Sequence, residues 1–147
     1  MGQNGFLLAC SFGCVKTVSL LLEDGKLEFN AGNKYGSTAF MLACYEGHTD
    51  IVKLLLNDDS LDSNAKDNYG KTAFMLACKE GKADIVKLLL NDDRMDYEAK
   101  DNDGRTGFDW AKRKATDYED EEEISGREEI VKYIKEVRPD LVTVGDP

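Results

Sequence analysis

The chain has 147 residues, of which 41% are hydrophobic, enough for one packed domain or a short array of repeats. Its formal net charge of −10 argues against binding to nucleic acid and to anionic membranes, because both require a basic surface. The apolar runs are too short to span a bilayer.

The N-terminal segment 1–10 lacks the features of an export or lipidation signal. It has no basic stretch, and its apolar run is too short for a secretory signal peptide. Gly2 is present, but Phe6 stands where a myristoylation motif has Ser or Thr. We therefore expect a cytoplasmic protein.

A repeat with a period of 34 residues follows. Residues 36–67 and 70–101 are identical at most positions, and the same shift relates Phe74 to Phe108 and Phe40 to Phe6. A period of this length is typical of stacked repeats, in which each unit buries its apolar face against its neighbours. We expect one domain of four copies, at about 1–32, 33–66, 67–100 and 101–138, followed by a C-terminal tail at 139–147.

Each complete copy predicts two short helices and a polar loop. Thr38 and Thr72 are placed to cap an apolar first helix that reads AFMLAC. Gly47 and Gly81 end this helix and open a turn. The second helix buries the IVKLLL segment, and a polar stretch rich in turn formers follows it. The fold class is thus predicted to be all-α, a solenoid of helix-turn-helix units joined by β-hairpin-like loops.

The repeat resembles the ankyrin-repeat family over nearly the whole chain. The resemblance is carried by the Gly-x-Thr starts at 36–38, 70–72 and 104–106, the LAC helix ends, EGHTDIVKLLL and SNAKD. Three features depart from the family: its Thr-Pro-Leu-His reads Thr-Ala-Phe-Met here, the period is 34 rather than 33, and its loop glycine is missing. The resemblance implies an ankyrin-repeat solenoid that binds another protein.

The fourth copy contains an acidic insert. The segment EIVK at 129–132 follows DIVK at 84–87 by 45 positions, so 11 extra residues separate the two helices of this copy. We expect the insert, 116–126, to be a loop. A solvated arm that contacts a basic partner is one interpretation, and an internal contact with the neighbouring KRK segment at 112–114 is another.

Calcium binding is a further interpretation of the insert. Residues 117–128 place oxygen-bearing side chains at the ligand spacing of an EF-hand loop, but Glu122 occupies the position that requires glycine. The ligands in this alignment would be Asp117, Glu119, Glu121, Glu123 and Glu128.

The remaining residues predict no enzyme, metal site or cofactor. Cys10, Cys44 and Cys78 share one repeat position and would lie roughly 8–10 Å apart in a stack, too far for disulfides. Cys14 lies one turn after Cys10, but His48 is the only histidine, which leaves few possible zinc or catalytic sets.

By resemblance to ankyrin-repeat proteins, a partner is expected on the concave surface formed by the loop tips and first helices. Tyrosine and arginine are favoured at binding hot spots. The tip residues Tyr35 and Tyr69 have a second interpretation, in which they only brace their loops. The corresponding positions are Phe12 in copy one; Tyr35, Ser37, Tyr45 and Glu46 in copy two; Tyr69, Lys71, Lys79 and Glu80 in copy three; and Asp103, Arg105, Arg113 and Lys114 in copy four.

The main hypothesis is a non-enzymatic scaffold that binds a protein as an adaptor, inhibitor or regulator. One alternative is a calcium-responsive switch built on 117–128. Another is a terminal fragment of a larger ankyrin array, because copy one lacks its leading loop and presents Phe6 and Leu7 near the terminus. We expect a monomer, with dimerisation through the N-terminal end as the related alternative.

Overall fold

The fold is described by a computed structural model for residues 2–142, with side chains from residue 5 onward. The predicted tail at 139–147 therefore lies partly outside the described residues. Within this range the chain is all-α, as predicted, and one isolated bridge between Gly32 and Thr38 is its only β-type pairing. No described helix is long and apolar enough to cross a membrane. The helices are α1 Gly2–Ser11, α2 Val15–Asp24, α3 Ala39–Glu46, α4 Thr49–Leu56, α5 Ala73–Lys79, α6 Ala83–Leu89, α7 Gly107–Ala111 and α8 Glu121–Val137, followed by a 3₁₀ helix at Pro139–Leu141.

The helices form two layers. The first helices of the four copies, α1, α3, α5 and α7, pack in chain order, and so do the second helices, α2, α4, α6 and α8. Each first helix also packs against the second helix of its own copy. The stack of helix pairs predicted from the repeat is therefore present, and its apolar side chains form one continuous core.

The first helices of copies two and three, α3 and α5, each start at a threonine cap. The hydroxyl oxygens of Thr38 and Thr72 accept hydrogen bonds from the backbone N–H groups of Met41 and Met75, each at 3.3 Å. These bonds satisfy donors that a helix leaves unpaired at its N-terminus. The predicted caps are thus confirmed.

Equivalent positions of the repeat occupy equivalent places in the core. The phenylalanines at 6, 40, 74 and 108 are all buried. Cys10, Cys44 and Cys78 are buried free thiols, whereas Cys14 is exposed. Burial raises the pKa of Cys10 to about 12, so this thiol stays protonated and behaves as a small apolar side chain.

The prediction of a loop over 116–126 is wrong for its second half. Helix α8 begins at Glu121, and the Asp120 carboxylate caps it by accepting a bond from the Glu123 N–H at 2.8 Å. The first turn contains Glu121, Glu122 and Glu123, whose negative charges suit the positive N-terminal end of the helix dipole. The acidic run that looked like a solvated loop therefore starts a helix.

The added turns of α8 pack against the turn between α5 and α6. A Cβ atom placed on Gly126 would collide with the carbonyl oxygen of Gly81, so the two backbones are in direct contact. Arg127, the next residue, donates from Nη1 to the carbonyl oxygen of Lys79 at 3.4 Å. The insert thus contributes to the packing of copy three.

Glu119 fixes the first half of the insert through two arginines. It accepts a bidentate pair from Arg127, with Oε1 3.0 Å from Nη1 and Oε2 2.9 Å from Nη2, and it also contacts Arg113. The side chains of Arg127 and Glu119 are only 3% and 8% exposed. Arg127, the Thr116 N–H and Arg113 lower the pKa of Glu119 to about 2. The predicted internal contact between the KRK segment and the insert is confirmed.

Candidate functional site

The loop tips of the stack are held by their own polar side chains. In copy three, Asp67 Oδ1 accepts hydrogen bonds from the backbone N–H groups of Tyr69 and Lys71, both at 2.9 Å. Asn33 and Asp101 make the same pair of bonds in copies two and four. Each tip is therefore closed without the help of an aromatic side chain.

Neighbouring tips are also bonded to each other. The Asn68 N–H donates to the carbonyl oxygen of Tyr35, and the Asn102 N–H donates to that of Tyr69, both at 3.0 Å. Asn68 Nδ2 adds a bond to the Lys34 carbonyl oxygen at 3.0 Å. The tips form a rigid row, which fixes the spacing of the side chains they carry.

A groove of about 300 Å³ lies between this row and the first helices of copies two and three. Its floor is apolar and comes from Met41, Leu42 and Leu76. Six of the residues predicted for partner binding line it together: Tyr35, Ser37, Tyr45, Tyr69, Lys71 and Lys79. The register of the repeat thus brings side chains from separate copies to one place.

The tyrosines of the groove are largely exposed. Tyr35, Tyr69 and Tyr45 are 52%, 61% and 39% exposed, and within the described residues none of their hydroxyl groups makes a hydrogen bond. The Glu80 carboxylate, together with burial, raises the pKa of Tyr45, so its hydroxyl stays neutral. Because backbone and Asx bonds already hold the tips, a bracing role for Tyr35 and Tyr69 is not required.

Three cations surround the ring of Trp110, at the end of the groove near copy four. Lys71 Nζ lies 4.9 Å from the ring centroid, Arg105 Cζ 4.9 Å and Arg113 Cζ 5.7 Å. The indole Nε1 donates to Asp101 Oδ2 at 2.9 Å, which fixes the ring in place. The ring faces of tryptophan attract cations, so this site collects positive charge.

The other predicted residues lie outside the groove. Glu80 is bonded to Lys79 at 2.6 Å, and Asp103 lies 3.6 Å from Arg105. Glu46 lines a cavity of about 440 Å³ beside the inter-helix turns, and Lys114 lines one of about 550 Å³ between α7 and α8. Arg113 lines the latter cavity as well. Phe12, at 75% exposure, follows the end of α1.

Sequence reasoning missed the groove floor and the cationic cluster around Trp110. Met41 and Leu42 precede Tyr45 by four and three residues, which places them on the same helix face. That spacing was a signal for the floor. Trp110 is only 8% exposed, and its ring is the centre of the cationic cluster.

The predicted calcium ligands are not gathered into a loop. Glu121, Glu123 and Glu128 lie on α8, where Glu121 and Glu123 point about 200° apart around the helix axis. The Glu119 carboxylate forms ion pairs with Arg113 and Arg127. In the described part of the chain, no group of three or more His, Cys, Asp or Glu residues could hold a metal ion.

Two family models match the chain. One, described as ankyrin repeats (3 copies), matches residues 1–67, and another, described as ankyrin repeats (many copies), matches residues 54–111. The chain belongs to the ankyrin-repeat family. Ankyrin repeats generally mediate protein–protein interactions, and ankyrin-repeat proteins are generally non-enzymatic. The matches end at Ala111, the last residue of α7, before the insert. A search of curated proteins gave no match.

Proposed function

We propose that this ankyrin-repeat protein is a non-enzymatic adaptor, inhibitor or regulator that binds another protein in the groove between its loop tips and first helices. The observation that carries the proposal is the row of exposed tyrosines Tyr35, Tyr45 and Tyr69 over an apolar floor. Tyrosine combines a large apolar ring with a polar hydroxyl and has little conformational entropy to lose on binding.

The rigid tips support the same proposal. Binding costs free energy when loops must become ordered. The hydrogen bonds from Asp67 and between neighbouring tips already order these loops in the folded chain, so a partner does not have to order them. The tyrosine hydroxyls are available to a partner, since no described group uses them.

A cytoplasmic, monomeric protein belongs to this proposal. The buried thiols of Cys10, Cys44 and Cys78 are consistent with a reducing compartment. The alternative, assembly through the N-terminal end, was expected from Phe6 and Leu7, but both are buried in the fold. At this end Leu8 and Leu20 are exposed instead, whereas their counterparts Leu42 and Leu54 are partly buried. Sedimentation velocity at several protein concentrations distinguishes a monomer from this assembly, and a single monomeric species is expected.

The test of the binding site is Tyr35→Ala combined with Tyr69→Ala. Because neither hydroxyl makes a hydrogen bond within the described residues, we expect a nearly unchanged melting temperature. Proteins captured from a native lysate by the wild type, identified by mass spectrometry, should be lost from the variant. Tyr118→Ala is the matched control, since Tyr118 is 98% exposed and lies in the insert, away from the groove. Capture that survives the double substitution would refute the groove as the binding site.

A further inference from the structure

We infer that the protein segment bound in the groove is acidic, and that its carboxylates pair with Lys71 and Arg105 beside Trp110. This inference rests on the proposed function and names the chemistry of the partner. It is drawn from the charges around one end of the groove.

Lys71 is the decisive residue. It lines the groove, and its Nζ lies 4.9 Å from the centroid of Trp110 and 5.2 Å from that of Tyr69. Within the described part of the chain, its ammonium group forms no ion pair. A half-buried cation between two aromatic rings is partly dehydrated, so a carboxylate brought to it interacts more strongly than one at a fully hydrated lysine.

The carboxylates near Lys71 are engaged elsewhere. Asp67 accepts the backbone N–H groups of its own tip, and Asp101 holds its tip and the Trp110 indole. Glu80 is paired with Lys79. Asp103 lies near Arg105, but at 3.6 Å and with a side chain 70% exposed it is a weak, displaceable partner. Lys71 therefore has no ion-pair partner among the described residues and Arg105 has only a weak one, in a chain whose net charge is −10.

One of the three cations around Trp110 is already paired with a close carboxylate. Arg113, the third cation around Trp110, contacts Glu119 of the insert. A carboxylate can thus pair with a cation of this cluster. Among the described residues, Lys71 has no such partner and Arg105 has only Asp103, at 3.6 Å. An acidic segment of a partner would complete the arrangement on the groove side.

A protein segment fits this cluster better than a nucleic acid does. Charges are screened over about 8–10 Å at physiological salt, so a few carboxylates in the groove mainly feel the local cations. A nucleic acid extends beyond the groove and would face the acidic remainder of the surface. Binding of nucleic acid is nevertheless one outcome of the test below.

The experiment uses Trp110 as its own reporter, because it is the only tryptophan. A short peptide of alternating Glu and Leu is titrated into the full chain at low salt while the tryptophan emission is followed. We expect a saturable change that weakens with added salt, and no such change with a peptide carrying Gln in place of Glu. Lys71→Glu with Arg105→Glu should weaken binding by about ten-fold or more, the usual cost of losing two interfacial charge pairs.

The matched control is Lys16→Glu with Lys53→Glu. It makes the same change in net charge at exposed positions of α2 and α4, so the affinity for the peptide should stay within about two-fold of the wild type. The inference is overturned if the acidic peptide fails to bind, if both variants lose affinity equally, or if an oligothymidine binds the groove more tightly.

Lysate capture separates this inference from the proposed function. If Tyr35→Ala with Tyr69→Ala abolishes capture while Lys71→Glu with Arg105→Glu leaves it intact, the groove binds a protein but the partner segment is not acidic. If neither variant changes capture, the groove itself is the wrong site. Loss of capture in both variants, with the Lys16/Lys53 control unaffected, supports both.

Discussion

The turn between the two helices of a copy is covered by the next copy in two different ways. Between copies one and two, the His48 ring lies over the Gly13 turn, with Nε2 2.7 Å from the Ser11 carbonyl oxygen. Between copies three and four, Arg127 contacts the carbonyl oxygen of Lys79, which is equivalent to Ser11 in the repeat. His48 precedes the first turn of α4, whereas Arg127 lies within α8.

The stack thus keeps its spatial register where the sequence loses its period. The 11 added residues lengthen the connection, yet Arg127 returns to the place that His48 occupies in copy two and Lys82 occupies beside Gly47 in copy three. The rest of the insert is accommodated as a short loop and an N-terminal extension of the helix. Copy four is therefore a normal repeat whose second helix starts early.

The largest effect is expected from removing a core ring in an inner copy. Phe74→Ala should cost about 3–5 kcal/mol of unfolding free energy, measured by urea denaturation, because Phe74 is buried between copies and packs on Tyr97 and Gly107. Phe108→Ala, at the same repeat position in copy four, should cost less because an outer unit shares fewer interfaces. Equal costs would mean that α8 supports copy four as fully as a neighbour supports an inner copy.

A smaller effect is expected where α8 crosses the turn of copy three. Gly126→Ala introduces a Cβ against the Gly81 carbonyl oxygen and should destabilise the fold by about 1–3 kcal/mol. The control is Gly5→Ala, also within a helix but with open space around its Cβ position, where alanine should stabilise by about 0.5–1 kcal/mol. Thermal melts that shift the same way for both variants would contradict the close packing of α8 on Gly81.

The smallest of the three effects concerns the anchor of the insert, and it depends on pH. The pKa of Glu119 falls to about 2 in the fold from an ordinary 4.5, so the unfolded chain binds this proton more readily. The ion pair therefore stabilises the fold above about pH 4.5, and the contribution is lost as the pH falls towards 2.

Glu119→Gln should accordingly lower the melting temperature at pH 7, and its difference from the wild type should shrink between pH 4.5 and pH 2. Glu121→Gln, an exposed position in the first turn of α8, serves as the charge-matched control. A difference between wild type and Glu119→Gln that stays constant from pH 7 to pH 3 would show that Glu119 does not act through its charge.

The sequence alone determined the repeated part of this protein. Thr38 and Thr72 cap helices, Phe40 and Phe74 are buried, and Tyr69 lies on a loop tip because identical segments in the same register meet nearly identical neighbours. Periodicity therefore carried the fold and much of the groove. The internal contact of the KRK segment was predicted on other grounds, because opposite charges lie close together along the chain.

Only the tertiary structure decided what the non-repeating residues do. The order of residues does not predict that Glu119 pairs with Arg127 as well as with Arg113. It does not predict either that Gly126 packs on Gly81, or that three cations surround the ring of Trp110. The contacts of Glu119 lie within copy four, whereas Gly126–Gly81 and Lys71–Trp110 join copies three and four. The distances of all of them depend on where the added residues return to the stack. Local propensity can start a helix at Asp120, but packing against copy three fixes where that helix lies.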